Sequence, residues 1–464
     1  MGQDLRARLQ RIRQRKTTCV SPKGPADRGA DPTTTDLQAL CDQTPTPLEQ
    51  LLRAGWVPVG FQTLKHLAIL DLSLPLPALL PRSLPLLIPD LFSYTIQNSS
   101  GEQGALNPED LLFFDLETTG LSGGAGTVAF LAAFGRFVRD AGEPPQPYRL
   151  HIDQYLLLDY PGESDFLEAL VQELGQCRSP DRITPRPLIV VTYNGKSFDA
   201  QILKNRCIMQ GITPPVYPHA DLLHPARRLW KRILSTCSQG EIETTILGLN
   251  RIGDVPGALA PEIWFSFLRL FQSTYPTKGD SHSVGPKSGA VEALLKVCDH
   301  NQRDILGLAS LFTAFTHIAE APLKAVEQFH YDLENLALSW QKRVKHSALG
   351  EEAEETGQAL LETAAAQGYP RAALMLGLDL MRQNRRNTGR VYLLELTKGH
   401  YPDAIKAVAY RSLAIDAEWH IQDREAALAY LDAGLNLEEL REGMKRELLL
   451  RRERVLARGT LCIS

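Results

Sequence analysis

Two carboxylates one residue apart follow an apolar run in the segment Leu111-Leu-Phe-Phe-Asp-Leu-Glu-Thr-Thr-Gly120. The four residues before Asp115 are typical of a strand that is buried on both faces. Because side chains alternate along a strand, Asp115 and Glu117 would project from the same face. Two buried acids repel each other, and a hard divalent cation such as Mg²⁺ or Mn²⁺ would relieve that repulsion. The alternative is an edge strand whose polar face points to water.

A third carboxylate ends the segment Tyr193-Asn-Gly-Lys-Ser-Phe-Asp199, which directly follows the apolar run 188–193. This order predicts a strand whose end delivers Asp199 to the start of a helix. Asn194 could hydrogen-bond across the strand end, and Phe198 could offer an aromatic surface to a base or sugar. Helix capping by Asp199 and core packing by Phe198 are the alternatives.

The last constellation is His300-Asn-Gln-Arg-Asp304, in a segment with a helical apolar stripe. His300 and Asp304 are four residues apart and would share one helix face, although such a pair is usually an ordinary surface contact. Asp304 and the three earlier acids form a set of four carboxylates: Asp115, Glu117, Asp199 and Asp304. Four carboxylates suit two divalent ions about 4 Å apart, as in phosphodiester cleavage. His300 would then be placed to act as general base.

The elements that carry these residues indicate a mixed α/β sheet. After the first strand, a glycine-rich turn at 120–126 precedes two strands at 127–138 and 148–158, a helix at 164–175 and the strand before Asp199. Strands followed by an alternation of helix and strand are typical of such a sheet. The turn lacks the Gly-Lys-Ser/Thr of a phosphate-binding loop, so a reverse turn between strands is the better interpretation.

Three motifs in this order resemble those of the DEDD 3′→5′ exonucleases: Asp-x-Glu-Thr-Thr-Gly, Asn-x-x-x-Phe-Asp and a final helix with a basic face that carries an aspartate. Three longer segments narrow the resemblance to the YprB-like family of predicted bacterial exonucleases. They are Phe114-Asp-Leu-Glu-Thr-Thr-Gly-Leu-Ser-Gly-Gly-Ala-Gly-Thr127, Asp221-Leu-Leu-His-Pro-Ala-Arg-Arg-Leu-Trp230 and His300-Asn-x-x-Asp304. The resemblance implies a ribonuclease H-like mixed five-stranded sheet with flanking helices, followed by an all-α tetratricopeptide-like domain. It also implies two Mg²⁺ or Mn²⁺ ions held by the four carboxylates.

One position departs from the common DEDD pattern. Those third motifs place a histidine five residues before the aspartate or a tyrosine four before it, and here His300 stands four before Asp304. The base is therefore either His300 or another group near the metal ligands, acting together with water. The resemblance also implies that Thr118 and Thr119 present backbone groups to the terminal nucleotide. Arg227 and Arg228 belong to a basic patch suited to backbone phosphates, with surface solvation as the alternative.

The chain divides into five predicted segments. They are residues 1–47, a basic helix (2–16) and linker; 48–106, a proline-rich extension; 107–320, the ribonuclease H-like domain, which includes a polar insertion at 273–289; 321–350, a connecting helix; and 351–460, the helical repeats. In the last segment Tyr369-Pro370 recurs as Tyr401-Pro402, a spacing close to the tetratricopeptide period of about 34 residues. A plain helical bundle is the alternative.

Composition narrows the class of protein. The net charge of −4 excludes a globally basic nucleic-acid-binding chain, so any such surface must be local. Seven scattered cysteines without a CxxC pair indicate reduced thiols in the cytoplasm. Prolines interrupt the most apolar stretch, 72–92, which excludes a membrane-spanning helix there.

These observations predict a cytoplasmic, metal-dependent 3′→5′ exonuclease that acts on DNA or RNA. Its helical repeats would bind a protein partner. The alternatives are a non-catalytic nucleic-acid or protein-binding scaffold and a structure-specific endonuclease with the same site.

Overall fold

A computed structural model describes most of the chain: residues 45–95, 106–120, 126–139, 148–175, 177–178, 186–275, 289–347 and 349–460. The predicted N-terminal basic helix, residues 121–125 of the glycine turn and most of the polar insertion lie outside the described residues. The chain forms two compact units. The first comprises residues 1–72, 109–219 and 251–309, and the second comprises 73–108, 220–250 and 310–464.

A mixed seven-stranded sheet forms the centre of the fold. In chain order the strands are β1 Val57–Gly60, β2 Thr63–Leu70, β3 Leu111–Thr118, β4 Ala129–Arg139, β5 Tyr148–Leu157, β8 Ile189–Thr192 and β9 His219–Asp221, with β6 Cys177–Arg178 and β7 Arg186–Pro187 as a separate two-stranded ribbon. The order across the sheet is β1-β2-β5-β4-β3-β8-β9. The pair β3/β8 is parallel, and the pairs from β1 to β3 are antiparallel.

The fold class predicted from the sequence is confirmed, but the sheet has seven strands instead of five. The two additional strands, β1 and β2, come from the segment that was predicted to be a proline-rich extension. Strand β2 pairs with β5 along its whole length, from Thr63 opposite Leu157 to Leu70 opposite Leu150. Without this pairing the backbone of β5 would form an open sheet edge, which proteins normally cover.

Helices flank the sheet and build the second unit. In chain order they are α1 Pro47–Arg53, α2 Leu84–Leu87, α3 Phe92–Thr95, α4 Glu163–Leu174, α5 Asp199–Met209, α6 Leu223–Trp230, α7 Gln239–Thr245, α8 Ala260–Thr274, α9 Ala290–Glu320, α10 Pro322–Phe329, α11 Leu333–Val344, α12 Glu351–Ala366, α13 Pro370–Arg382, α14 Arg386–Lys398, α15 Asp403–Asp416, α16 Arg424–Leu435 and α17 Glu442–Thr460. Short 3₁₀ turns lie at Pro89–Leu91, Pro108–Asp110, Tyr160–Gly162 and Gly257–Leu259, and a π-helical turn lies at Ala417–Ile421. Among the described residues, none of these helices combines the length and apolar character needed to cross a membrane.

Aromatic packing holds β3 at the centre of the first unit. The residues from Leu111 to Phe114 are all buried, as predicted for a strand covered on both faces. Phe114 stacks on Phe134 of β4 with ring centroids 4.9 Å apart. Trp264 of α8 stacks on Phe130 and donates its indole N–H to the carbonyl of Leu157 at 3.0 Å. Burial of each such side chain contributes about 1.5–3 kcal/mol, so the strand that carries the candidate site is rigidly held.

The second unit is helical, and its C-terminal helices pack in sequence. Each helix from α11 to α17 contacts the next one, and α13 also contacts α11 and α15. Small residues permit this close approach: a Cβ on Gly389 of α14 would lie 2.7 Å from the carbonyl oxygen of Gly377 of α13. Stacked helix pairs of this kind are expected of helical repeats. The tetratricopeptide-like assignment stays a prediction.

Candidate active site

Strand β3 brings Asp115 and Glu117 to the end of its parallel pairing with β8. That pairing runs only from Leu111 to Phe113, so the two carboxylates lie just beyond it. They share one face, because the residue between them, Leu116, belongs to the hydrophobic core on the other face. Ligands commonly bind at the carboxyl ends of strands in α/β sheets, and both acids are partly accessible there.

A tight turn delivers Asp199 from β8 to the first residue of α5. Asn194 adopts a left-handed conformation with φ of 65°, which asparagine tolerates better than most residues. A Cβ on Gly195 would lie 2.5 Å from the side chain of Thr192, so only glycine fits there. Asp199 is buried, with 6% of its surface exposed. Its charge acts on both carboxylates of β3.

Helix α9 presents His300 and Asp304 on one face. Nε2 of His300 lies 3.3 Å from Oδ2 of Asp304 and 3.9 Å from Oε1 of Glu117. The side chains of Glu117, His300 and Asp304 are 12%, 13% and 17% exposed, and one potential ligand atom from each lies within 4.8 Å of the others. These three residues could therefore hold a metal ion.

Gly135 of β4 has no side chain beyond hydrogen, and this allows α9 to lie close to the sheet. A Cβ on Gly135 would be 2.4 Å from Cγ2 of Ile305 and 3.2 Å from Cβ of Phe113. Ile305 directly follows Asp304 in α9, and Phe113 lies two residues before Asp115 in β3. Gly135 thus sets the distance between the strand and helix that carry the candidate ligands.

Burial and neighbouring carboxylates oppose the ionisation of the two acids on β3. Burial, followed by the charges of Asp304, Asp199 and Glu117, holds the pKa of Asp115 well above its ordinary value. Burial and the charges of Asp304, Asp199 and Asp254 raise the pKa of Glu117 to about 8. A bound divalent cation would neutralise this crowding, and hard carboxylate oxygens are its preferred ligands. The donor set therefore fits a divalent metal.

Amide side chains orient Asp115. Asn301 of α9 donates from Nδ2 to Oδ2 of Asp115 at 2.8 Å. Gln154 of β5, which is fully buried, donates to Oδ1 of Asn301 at 3.1 Å and accepts from Gln302 at 2.7 Å. This series of hydrogen bonds holds Oδ2 of Asp115 against the amide of Asn301.

A loop before α8 adds two charged residues that the sequence analysis did not assign to the site. Oδ2 of Asp254 lies 2.9 Å from Nδ1 of His300, and Nη1 of Arg251 lies 2.6 Å from Oδ1 of Asp304. Burial opposes ionisation of Asp254, but the hydrogen bond and charge of His300 and the charges of Arg251 and Arg303 outweigh it, so its pKa is lowered. Asp254 is therefore an ionised partner for the imidazole.

The sequence around this loop contains one signal that could have found these residues. Arg251-Ile-Gly-Asp254-Val-Pro-Gly257 combines two charged residues with turn-forming glycine and proline, a composition typical of a loop. Loops held by a rigid scaffold often carry functional residues. Gln154, by contrast, lies within a strand, and nothing local distinguishes it.

The structure gives positions for the residues predicted to bind substrate. The Thr118 hydroxyl donates to the carbonyl of Gly120, while Thr119 accepts from the Val128 N–H through its hydroxyl and donates its own N–H to the Val128 carbonyl. Asn194 is exposed and Phe198 is partly exposed.

The two arginines predicted to bind phosphates belong to the second unit. Arg227 is exposed. Arg228 donates to the carbonyl of Leu87 at 3.2 Å, and burial lowers its pKa. In the same unit, the Asp221 carboxylate accepts from the N–H of Leu223 at the start of α6. It therefore pairs with one of the backbone N–H groups that the first turn of this helix leaves without an intrahelical partner.

Comparison with known proteins finds two similarities. Residues 112–316 match the family model RNase_H_2, described as "RNase_H superfamily". The chain is also 34% identical over 226 residues to "Uncharacterized protein YprB" of Bacillus subtilis (strain 168). This similarity covers 47% of the chain and 46% of that protein, so the chain spans about half the length of the curated relative it matches. Residues 112–316 thus form a ribonuclease H-like superfamily domain.

Proposed function

We propose that this protein is a divalent-metal-dependent 3′→5′ exonuclease that hydrolyses phosphodiester bonds of DNA or RNA. The observation that carries the proposal is the proximity of four carboxylates: Asp199 at the start of α5 and Asp304 on α9 act electrostatically on Asp115 and Glu117 of β3. The raised pKa values of Asp115 and Glu117 indicate that the four charges interact strongly. Nucleases commonly use such a carboxylate set to hold two divalent ions.

In this proposal the protein contributes ligands and orientation. The four carboxylates would hold the ions, and Asn301 would fix the rotamer of Asp115 through the 2.8 Å hydrogen bond. When bound, the ions would supply an activated water and stabilise the charge on the leaving 3′ oxygen. His300 could serve as the base or as a ligand, because its Nε2 faces Glu117 and Asp304.

Attack at a 3′ end requires contacts with the terminal nucleotide beside these carboxylates. Thr118 and Thr119 lie at the end of β3, and Phe198 directly precedes Asp199, so these residues are proposed contacts for the sugar and base. Asn194, exposed in the same turn as Phe198, is a further proposed contact. Arg227 is a better candidate for phosphate binding than Arg228, whose guanidinium already donates to the Leu87 carbonyl.

The C-terminal helices are proposed to bind a protein partner. Sequential packing of α11 to α17 would create the extended surface that helical repeats commonly use for binding. A scaffold that binds without cleaving is the competing function, and this helical stack is the observation that favours it.

The test is a cleavage assay with 3′- and 5′-labelled single- and double-stranded DNA and RNA, in Mg²⁺, Mn²⁺ or a chelator. Metal-dependent loss of nucleotides from the 3′ end is expected. Asp115→Asn and Asp304→Asn should reduce cleavage to the level with chelator, whereas Glu168→Gln, at an exposed position of α4, should not. Cleavage of circular substrate would indicate an endonuclease. No cleavage of any substrate would refute the nuclease and leave the scaffold.

A further inference from the structure

We propose that His300 is a metal ligand: its Nε2, with Glu117 and Asp304, binds one divalent cation, and Asp254 holds the imidazole in the binding orientation. The inference deepens the proposed function and depends on its metal requirement. It changes the predicted donor set from oxygen alone to oxygen and nitrogen. That change has a consequence for which ion the site prefers.

The distances between the donor atoms fit a shared ion. Atoms that each lie about 2.1 Å from one ion are about 3.0–3.4 Å apart when adjacent and about 4.2 Å apart when opposite, for octahedral or tetrahedral coordination. Nε2 of His300 lies 3.3 Å from Asp304 Oδ2 and 3.9 Å from Glu117 Oε1. The first separation matches that of adjacent ligands, whereas the second lies between the adjacent and opposite values, so Glu117 would have to move by a few tenths of an ångström to share the ion.

Asp254 gives His300 the partner that metal-bound histidines usually have. Such histidines donate their other ring N–H to a carboxylate or carbonyl, which selects the tautomer and turns the free nitrogen toward the metal. Here Nδ1 of His300 lies 2.9 Å from Oδ2 of Asp254, and Asp254 also lies 3.5 Å from both Arg251 and Arg303. With Nδ1 directed at this carboxylate, Nε2 is the ring nitrogen that faces Glu117 and Asp304.

Asp304 is also held by a residue of opposite charge, Arg251. Its Oδ1 is 2.6 Å from Nη1 of Arg251, while Oδ2 is the oxygen that lies near His300. One oxygen is committed to the protein and the other faces the candidate cation. Each helix-borne ligand thus has a charged partner from the loop 251–257, which would act as a support for this site.

An imidazole in the donor set predicts a preference among divalent ions. Mg²⁺ favours oxygen ligands in near-ideal octahedral geometry and binds nitrogen poorly, whereas Mn²⁺ and Co²⁺ accept mixed oxygen and nitrogen donors. The site is therefore expected to bind Mn²⁺ more tightly than Mg²⁺. Replacing His300 should weaken Mn²⁺ binding much more than Mg²⁺ binding.

The experiment measures binding of Mn²⁺ alone to the full chain, with no nucleic acid present. Titration followed by electron paramagnetic resonance gives the Mn²⁺ affinity, and pulsed spectra of protein carrying ¹⁵N-labelled histidine report a nitrogen bound to the ion. We expect ¹⁵N coupling in the wild-type protein and its loss in His300→Ala, together with at least a 10-fold lower Mn²⁺ affinity, on the order of the effect of disturbing a metal ligand. His346→Ala, at an exposed position outside the site, is the matched control and should retain both signals.

Variants of Asp254 test the positioning role. Asp254→Ala should weaken Mn²⁺ binding about 10–100-fold. Asp254→Asn keeps an oxygen that can accept from Nδ1, so it should recover most of the affinity and the nitrogen coupling. Circular dichroism of each variant verifies folding. Equal loss of Mn²⁺ binding in both variants would refute the positioning role.

The outcomes separate this inference from the proposed function. Wild-type protein that binds Mn²⁺ without nitrogen coupling, or that binds no Mn²⁺, would overturn the ligand role. Loss of turnover in His300→Ala at unchanged Mn²⁺ affinity would overturn it as well and would identify His300 as the base. Nitrogen coupling in a protein that cleaves no nucleic acid would support the cation site and refute only the nuclease.

Discussion

Replacing Glu117 by glutamine is expected to stabilise the cation-free protein at alkaline pH and to change its stability little at acid pH. Burial and the charges of Asp304, Asp199 and Asp254 raise the pKa of Glu117 to about 8 in the folded protein. In the unfolded chain this pKa returns to its ordinary value of 4.5. Proton binding to Glu117 therefore stabilises the folded state fully below about pH 4.5, and this contribution is lost as the pH rises to about 8.

The size of the effect follows from the two pKa values. A pKa that moves from 4.5 to about 8 on folding corresponds to about 5 kcal/mol. Glutamine has nearly the same shape but cannot ionise, so the variant avoids this cost. The difference in unfolding free energy between the variant and the wild type should grow from near zero at pH 4.5 toward this value, as an upper bound, at pH 8.5.

The assay is scanning calorimetry in a chelator at several pH values between 4.5 and 8.5. Hydrogen exchange of the peptides covering β3 assigns the transition to the unit that contains Glu117, because the chain has two units. Glu168→Gln removes an exposed carboxylate of α4 and should not alter the pH dependence. Wild-type stability that rises between pH 5 and 8, or that falls equally in Glu117→Gln, would refute the reasoning. With saturating Mn²⁺ the wild type should become more stable than Glu117→Gln. A cation at 100 times its dissociation constant adds about 2.7 kcal/mol to the unfolding free energy of the protein that binds it.

Three further variants test other parts of the site and its support. Gly195→Ala should lower the thermal midpoint by placing a methyl group against the preceding strand, with overpacking costs of about 1–3 kcal/mol; an unchanged midpoint would show that the turn relaxes. Asn301→Ala removes the amide that orients Asp115 and should weaken Mn²⁺ binding about 10–100-fold in a calorimetric titration, and unchanged binding would argue against the orienting role. Arg206→Ala leaves buried Glu163 without its guanidinium partner at 2.5–2.6 Å and should cost about 3–5 kcal/mol in a urea melt. The double variant with Glu163→Gln should recover part of that loss, and no recovery would indicate lost packing instead.

The spacing of neighbouring residues in the sequence was sufficient to predict the central strand of the fold and to predict which candidate site residues share a face. The apolar run before Asp115 predicted the buried strand, and alternation predicted that Glu117 shares its face. Helical spacing likewise predicted that His300 and Asp304 lie together. In each case the partners are two to four residues apart, so the geometry of a single strand or helix determines their relation.

The remaining features depend on contacts between distant segments, which spacing cannot reveal. Asp254 meets His300 across 46 residues, and Gln154 meets Asn301 across 147. Strand β2 pairs with β5 at similarly long range, in a segment that was predicted to form short strands and extended pieces packing on the next domain, with no pairing partner assigned. Such pairings are decided by tertiary packing, so the sequence predicted five strands and no role for the loop before α8.

The glycine at position 135 links backbone packing to the ionic radius that the site accepts. An added methyl group would lie 2.4 Å from Cγ2 of Ile305, a β-branched side chain with one strongly preferred rotamer in a helix, so we expect α9 to move outward. That movement would separate Asp304 from Glu117 and enlarge the space between them. Ca²⁺, whose ligands lie about 2.3–2.6 Å away, would gain relative to Mg²⁺, whose ligands lie about 2.0–2.1 Å away. A residue that contributes no ligand would in this way determine the size of the ion that the protein selects.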